Sequence, residues 1–131
     1  MPNSSLVILV DDDPALLNAL TFSFELEGFR VVACEDAQAV LDLGDLPERS
    51  CLVLDQKMPG MSGLELLETL RARQSTPPAL LITTSTPSVR RLAQTAGVEI
   101  VEKPLLSDQL IDRVRALIDD RGHPRPRLPL H

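Results

Sequence analysis

The sequence has no tryptophan and no tyrosine, and Phe22, Phe24 and Phe29 are its whole aromatic set, 2% of 131 residues. The core must therefore be made from Leu, Val, Ile and Ala. Base stacking, on which single-strand nucleic-acid binders rely, has almost no side chains to draw on. Cysteine is also scarce: Cys34 and Cys51 lack any zinc-like spacing and each lies in an apolar run, so both read as buried reduced thiols. No apolar run approaches the roughly 18 residues of a membrane span. LVILV at 6–10 is too short for a secretory signal and lacks a basic flank, which points to a cytoplasmic protein with no membrane partner. Excess positive charge is missing too. Thirteen basic residues face 19 acidic ones for a net −6, and Arg121, Arg125 and Arg127 lie in a C-terminal stretch without acids, so residues 1–120 carry −9. An acidic body of this kind argues against direct nucleic-acid binding by the domain. No G-x-x-x-x-G-K-[ST] loop for nucleotide phosphates occurs.

What is present is a regular alternation. Five apolar runs, LVILV (6–10), RVVAC (30–34), CLVLD (51–55), ALLIT (79–83) and VEIV (98–101), are separated by segments of helical period. In those segments Leu17, Leu20 and Phe24, then Leu67 and Leu70, then Val89, Leu92 and Ala96, then Leu110, Val114 and Leu117 recur at threes and fours. Strand alternating with helix predicts a parallel sheet covered on both faces, a doubly wound α/β domain. Asp13-Pro14 and Thr86-Pro87 read as an N-cap followed by proline at the first helical position, Ser107-Asp108 opens the last helix, and Gly28 and Gly97 read as helix stops. The segment 36–46 has the weakest helical pattern. Residues 1–120 are expected to form one domain, and the three prolines of RGHPRPRLPLH make 121–131 a tail or linker. His123 and His131 both lie in that tail, where solvent exposure is the default.

Ligands of open parallel sheets bind beyond the carboxyl ends of the strands, near the point where strand order reverses. Four such ends carry polar groups here: Asp11, Asp12 and Asp13; Asp55; Thr83 and Thr84; and Glu102, Lys103 and Pro104. A five-stranded order 2-1-3-4-5 would place all of them on one rim. Clustered carboxylates raise one another's pKa or bind a cation, and an all-oxygen set with few protein ligands suits Mg²⁺. With its neighbours neutralised by the metal, Asp55 would remain an ionised nucleophile able to form an aspartyl phosphate, and Lys103 and Thr83 would supply an ammonium and a hydroxyl. Taken singly each feature has a plainer explanation, since strand-end aspartates often cap helices, as Asp13 does before Pro14, and a strand-end threonine is an ordinary strand residue. The conjunction on one rim is what carries weight.

The stretches VDDDP (10–14), LDQKMPGMSGLELL (54–67), ALLITT (79–84) and EKP (102–104) together resemble the receiver domains of bacterial two-component response regulators, over roughly residues 5–119. The resemblance implies a flavodoxin-like receiver fold with Asp55 as phosphoryl acceptor, taking the group from a phosphohistidine on a sensor histidine kinase or phosphotransfer protein. It implies Mg²⁺ (or Mn²⁺) held by Asp12 directly, Asp11 through water, Asp55, and the backbone carbonyl of Lys57. It also implies Thr83 as the hydroxyl that moves on activation, Lys103 as the phosphoryl contact, and a Lys103–Pro104 bond that is often cis in the family. Such a domain acts chemically only on its own aspartate and serves as a signalling switch rather than an enzyme. Four positions depart from the usual pattern. Ile100 stands where the family often has Tyr or Phe, Thr84 where it often has Ala or Gly, the Thr83–Lys103 interval of 20 residues is about two short, and Lys57 adds a cation beside the acceptor.

Two other readings stand beside this one. A receiver-like binding module indifferent to phosphorylation would fit Ile100, Thr84 and the short interval. A dehalogenase-like Mg²⁺ phosphatase would need a second aspartate two residues after the nucleophile, where this chain has Lys57. An output domain after the tail and a homodimer through the fourth helix, fifth strand and fifth helix both stay open.

Overall fold

A computed structural model describes residues 5–73, 77–103 and 107–122. Its elements alternate as the sequence predicts: β1 (Leu6–Val10), α1 (Pro14–Leu26), β2 (Arg30–Cys34), α2 (Ala37–Leu41), β3 (Ser50–Asp55), α3 (Gly63–Ala72), β4 (Ala79–Thr83), α4 (Pro87–Ala96), β5 (Glu99–Glu102) and α5 (Ser107–Gly122). The strands form one parallel sheet in the order β2-β1-β3-β4-β5.

Because strand side chains alternate between faces, the near-continuous apolar strands supply two cores at once. Ile8, Val10, Leu52, Leu54 and Leu81 meet Ala37 and Val40 of α2, Leu66, Leu67 and Leu70 of α3, and Ala93 of α4. Val7, Leu9, Cys51, Val53, Leu80 and Ile82 meet Leu17, Leu20 and Phe24 of α1 and Leu110, Ile111, Val114 and Ile118 of α5. Each of the large side chains contributes about 1.5–3 kcal/mol by leaving water, so α3, with three buried leucines, is far more firmly held than α4, which fully buries only Ala93.

The predicted punctuation forms. Asp13 caps α1 by accepting from the amides of Ala15 and Leu16, and Thr86 caps α4 by accepting from Val89. At the end of α4, Gly97 takes φ 69°, and Val98 N donates to Ala93 O at 3.0 Å. That reverse turn, which needs a left-handed residue, absorbs Val98, so β5 starts at Glu99 rather than at Val98. The packed face of α4 is Val89, Ala93 and Ala96, while Leu92, expected on it, is 57% exposed. The helix docks through its smallest side chain, which brings it close to the sheet and turns Leu92 outward. The weak second helix exists but is five residues long. The α5 helix runs to Gly122, two residues into the expected tail, and residues 123–131 lie outside those described, as does Pro104 and with it the expected cis bond. Both cysteines are free and buried, and burial pushes the Cys51 thiol up to about 12. No helix of the described residues is long and apolar enough to cross a membrane.

Candidate functional site

Register brings the acids together. Val10 of β1 pairs with Leu54 of β3, so Asp11 and Asp55 follow at the same level on neighbouring strands. Backbone bonds continue the ladder just past the strand ends: Asp11 N donates to Cys34 O, Gln56 N to Ile82 O, and Lys103 N to Thr83 O. The candidate residues are thus held by the sheet and not by free loops. Carboxylate oxygens of Asp11, Asp12 and Asp55 lie within 4.8 Å of one another. Asp11 and Asp55 are buried, while Asp12 is exposed. One Asp11 oxygen, Oδ1, accepts from Asp13 N at 2.9 Å, but Oδ2 is buried with no hydrogen-bond partner. Burial raises the Asp11 pKa above its ordinary value, the negative charges of Asp55 and Asp12 push the same way, and the Asp13 amide and Lys103 oppose them. A buried acceptor without a donor, in a cluster of three acids, is a destabilising arrangement that a divalent cation would relieve. The donor set therefore fits a hard cation such as Mg²⁺.

The cationic side of the site comes from the last strand. Lys103 Nζ lies 3.4 Å from Asp55 Oδ1, and the same oxygen accepts from the backbone amide of Lys57 at 3.3 Å. Thr83, one residue past the β4 partner of Asp55, is buried, and its hydroxyl donates to Thr84 O at 3.3 Å. Asp55 thus has two acids close by and accepts from an ammonium and an amide.

Comparison with known proteins agrees with this geometry. The family profile described as the response regulator receiver domain matches residues 7–115. The chain belongs to this family. It is 36% identical over 116 residues to the transcriptional regulatory protein FixJ of Bradyrhizobium diazoefficiens, an alignment covering 86% of this chain and 56% of FixJ. The chain thus spans about half the length of that relative. A crystal structure of FixJ-N superposes with TM-score 0.79 at 28% identity, covering 95% of this chain and 99% of that one. The CheY-like receiver of Methanospirillum hungatei shares the fold, with TM-score 0.83 at 22% identity over 92% of this chain and 98% of its own.

Within this receiver domain three of the four departures can be placed. Ile100 is half-buried and packs against the core on the α4 side of the sheet. Thr84 is exposed in the short loop before α4. The Lys57 ammonium is exposed, and it is the Lys57 amide that touches Asp55. Residues outside the charged cluster also build the site. A Cβ on Gly63 would sit 2.6 Å from Asp55 O and 2.9 Å from Leu81 Cδ1, so only glycine lets α3 start against the Asp55 carbonyl. Gln56 accepts from Leu64 N at 2.9 Å, and Ser62 and Glu65 form a reciprocal capping box. The capping box was legible as S-x-x-E before an apolar run. The Gly63 contact has no such signature, because it depends on how closely α3 approaches β3.

Proposed function

We propose that this receiver domain accepts a phosphoryl group on Asp55 from a phosphohistidine and uses the new anion to change the conformation of β4, β5 and the segments that follow them. The observation that carries the reading is the buried Asp55 carboxylate, 3% exposed, fixed between two acids and the Lys103 ammonium. An Asp55 oxygen forms the new O–P bond while the N–P bond to the donor imidazole breaks, and the electron pair stays on the imidazole nitrogen, which takes up a proton from solvent. Lys103 holds the acceptor in line before transfer and faces the phosphoryl oxygens afterwards. The Thr83 hydroxyl, bonded only to a neighbouring carbonyl among the described contacts, is free to turn toward those oxygens. Asp11, Asp12, Asp55 and the Lys57 carbonyl would hold Mg²⁺, which when bound supplies positive charge against both the acid cluster and the transferring group.

The donor would be a sensor histidine kinase or a phosphotransfer protein in the cytoplasm. Ala15, Ala19, Phe22 and Leu26 form an exposed stripe along α1 at spacings of four, three and four, beginning beside the Asp13 cap, and Phe22 and Leu26 are 65% and 69% exposed. Such a stripe fits the apolar face of a partner helix brought up to the site. The complete set of acceptor, acids, hydroxyl and lysine disfavours a module indifferent to phosphorylation, and Lys57 in place of a second acid disfavours a phosphatase. Incubation with acetyl phosphate and Mg²⁺ should add one phosphoryl group, chelation should prevent it, and label that persists on Asp55→Asn would refute the assignment.

A further inference from the structure

Lys103 is preceded in the chain by an acid, Glu102, at the edge of a site that must receive an anion. A carboxylate so placed has two unfavourable options. It can pair with Lys103 and draw the ammonium off Asp55, or stay unpaired and repel the incoming phosphoryl oxygens. The structure shows neither. Lys103 pairs with Asp55, whereas Glu102 Oε2 accepts from Ser85 Oγ at 2.8 Å and lies 3.7 Å from Arg90 NH1. Arg90 NH1 also donates to Ser85 Oγ at 3.2 Å, so a single guanidinium nitrogen engages both members of the pair. Ser85 lies in the loop after β4, two residues beyond Thr83. Arg90 lies in the first turn of α4, its amide bonded to Thr86 O.

Resting on the phosphoryl-acceptor reading, we propose that Arg90 is a positioning residue for Lys103: with Ser85 it holds and neutralises Glu102, leaving the Lys103 ammonium to Asp55 and the incoming phosphoryl group. The side chains of Arg90 and Glu102 are 57% and 58% exposed, so the effect is of modest size. Removing one exposed pairing charge should slow phosphoryl transfer about threefold, the fold-change matching the usual strength of a surface ion pair. Its origin gives it a signature. Exposed charges are screened over about 8 Å at physiological ionic strength, so the defect should grow at low salt and fade at high salt. A loss of packing would show no such dependence.

The test measures the rate of labelling by acetyl phosphate with Mg²⁺, at low and high ionic strength, in the wild type, Arg90→Ala, Arg90→Lys and Arg90→Ala/Glu102→Gln. Thermal melting of each variant serves as the control for folding. Arg90→Ala should label about threefold more slowly at low salt and near the wild-type rate at high salt. Arg90→Lys should recover most of the rate, and the double variant should recover it fully because the unpaired acid is gone. A low-salt rate for Arg90→Ala equal to wild type, or a defect that survives in the double variant, would overturn the proposal while leaving the acceptor reading intact. Absence of label on the wild type would defeat both.

Discussion

On β1 and β3 every residue from Leu6 to Val10 and from Ser50 to Asp55 is buried, whereas β5 has no fully buried residue between Glu99 and Glu102. The helices differ in the same direction: α3 anchors the β3 side with Leu66, Leu67 and Leu70, and α4 faces the β4–β5 side with Ala93 as its one fully buried residue. The acids of the rim, and the Thr83 hydroxyl at the end of β4, are therefore built on tightly packed strands, whereas the lysine follows β5, which has no fully buried residue. A nucleophile needs a fixed position. Groups that must follow a new anion need a region that can shift without opening the core, and local stability is low where few apolar contacts are buried.

The contrast can be broken at several points. Leu66→Ala, on the rigid side, should lower unfolding free energy by about 2–5 kcal/mol, while Leu92→Ala on the exposed face of α4 should change it by less than about 0.5 kcal/mol. Denaturant titration of both variants checks this, and similar losses would mean the two halves are equally packed. Lys103→Met removes the ammonium paired with Asp55 and should slow phosphoryl transfer by about 100–1,000-fold without a comparable loss of melting temperature, as a labelling time course beside a thermal melt would show.

Asp11 makes the stability of the domain depend on pH. The raised Asp11 pKa means that the folded, metal-free domain favours the protonated acid. The contribution of Asp11 is therefore fully present below the ordinary aspartate value and is lost as pH rises through the raised one. Metal-free wild type should lose stability relative to Asp11→Asn as pH climbs from about 4 toward 7, and added Mg²⁺ should reverse the order by binding only the wild type tightly. Unfolding curves of both proteins with and without the metal measure this. The smallest effect is expected at Lys57, whose ammonium is exposed and whose amide, which any residue retains, makes the contact to Asp55. Lys57→Asn should change Mg²⁺ affinity and phosphoryl lifetime by less than about threefold; a larger change in either would put the ammonium at the metal.

The same contrast accounts for what could be read from the sequence. Buried strands announce themselves as unbroken apolar runs, so β1, β3 and β4 were legible nearly to the residue, and with them the positions of Asp11, Asp55 and Thr83. The loosely packed half was read less well. Leu92 looked like a core residue because its period fits Val89 and Ala96, yet α4 turns on Ala93, whose small side chain carries no strong signal. Val98 looked like the first residue of β5 because it is apolar, but the turn at Gly97 claims it. The Glu102–Ser85–Arg90 cluster was invisible, since it joins residues from a loop, a helix and a strand end whose proximity only the folded chain defines. Gly63 stands in the motif LDQKMPGMSGLELL, but its structural role, the space it leaves beside Asp55 O, is not readable there.

The central claim is that the acid held by the rigid half of the rim is the one that reacts. Peptide mapping by mass spectrometry after brief treatment with acetyl phosphate and Mg²⁺ locates the new bond directly. A single phosphoryl group on Asp55 is the predicted result, with none on Asp11, Asp12 or Asp13. A phosphoryl group on any other residue, or one still found in Asp55→Asn, would contradict it.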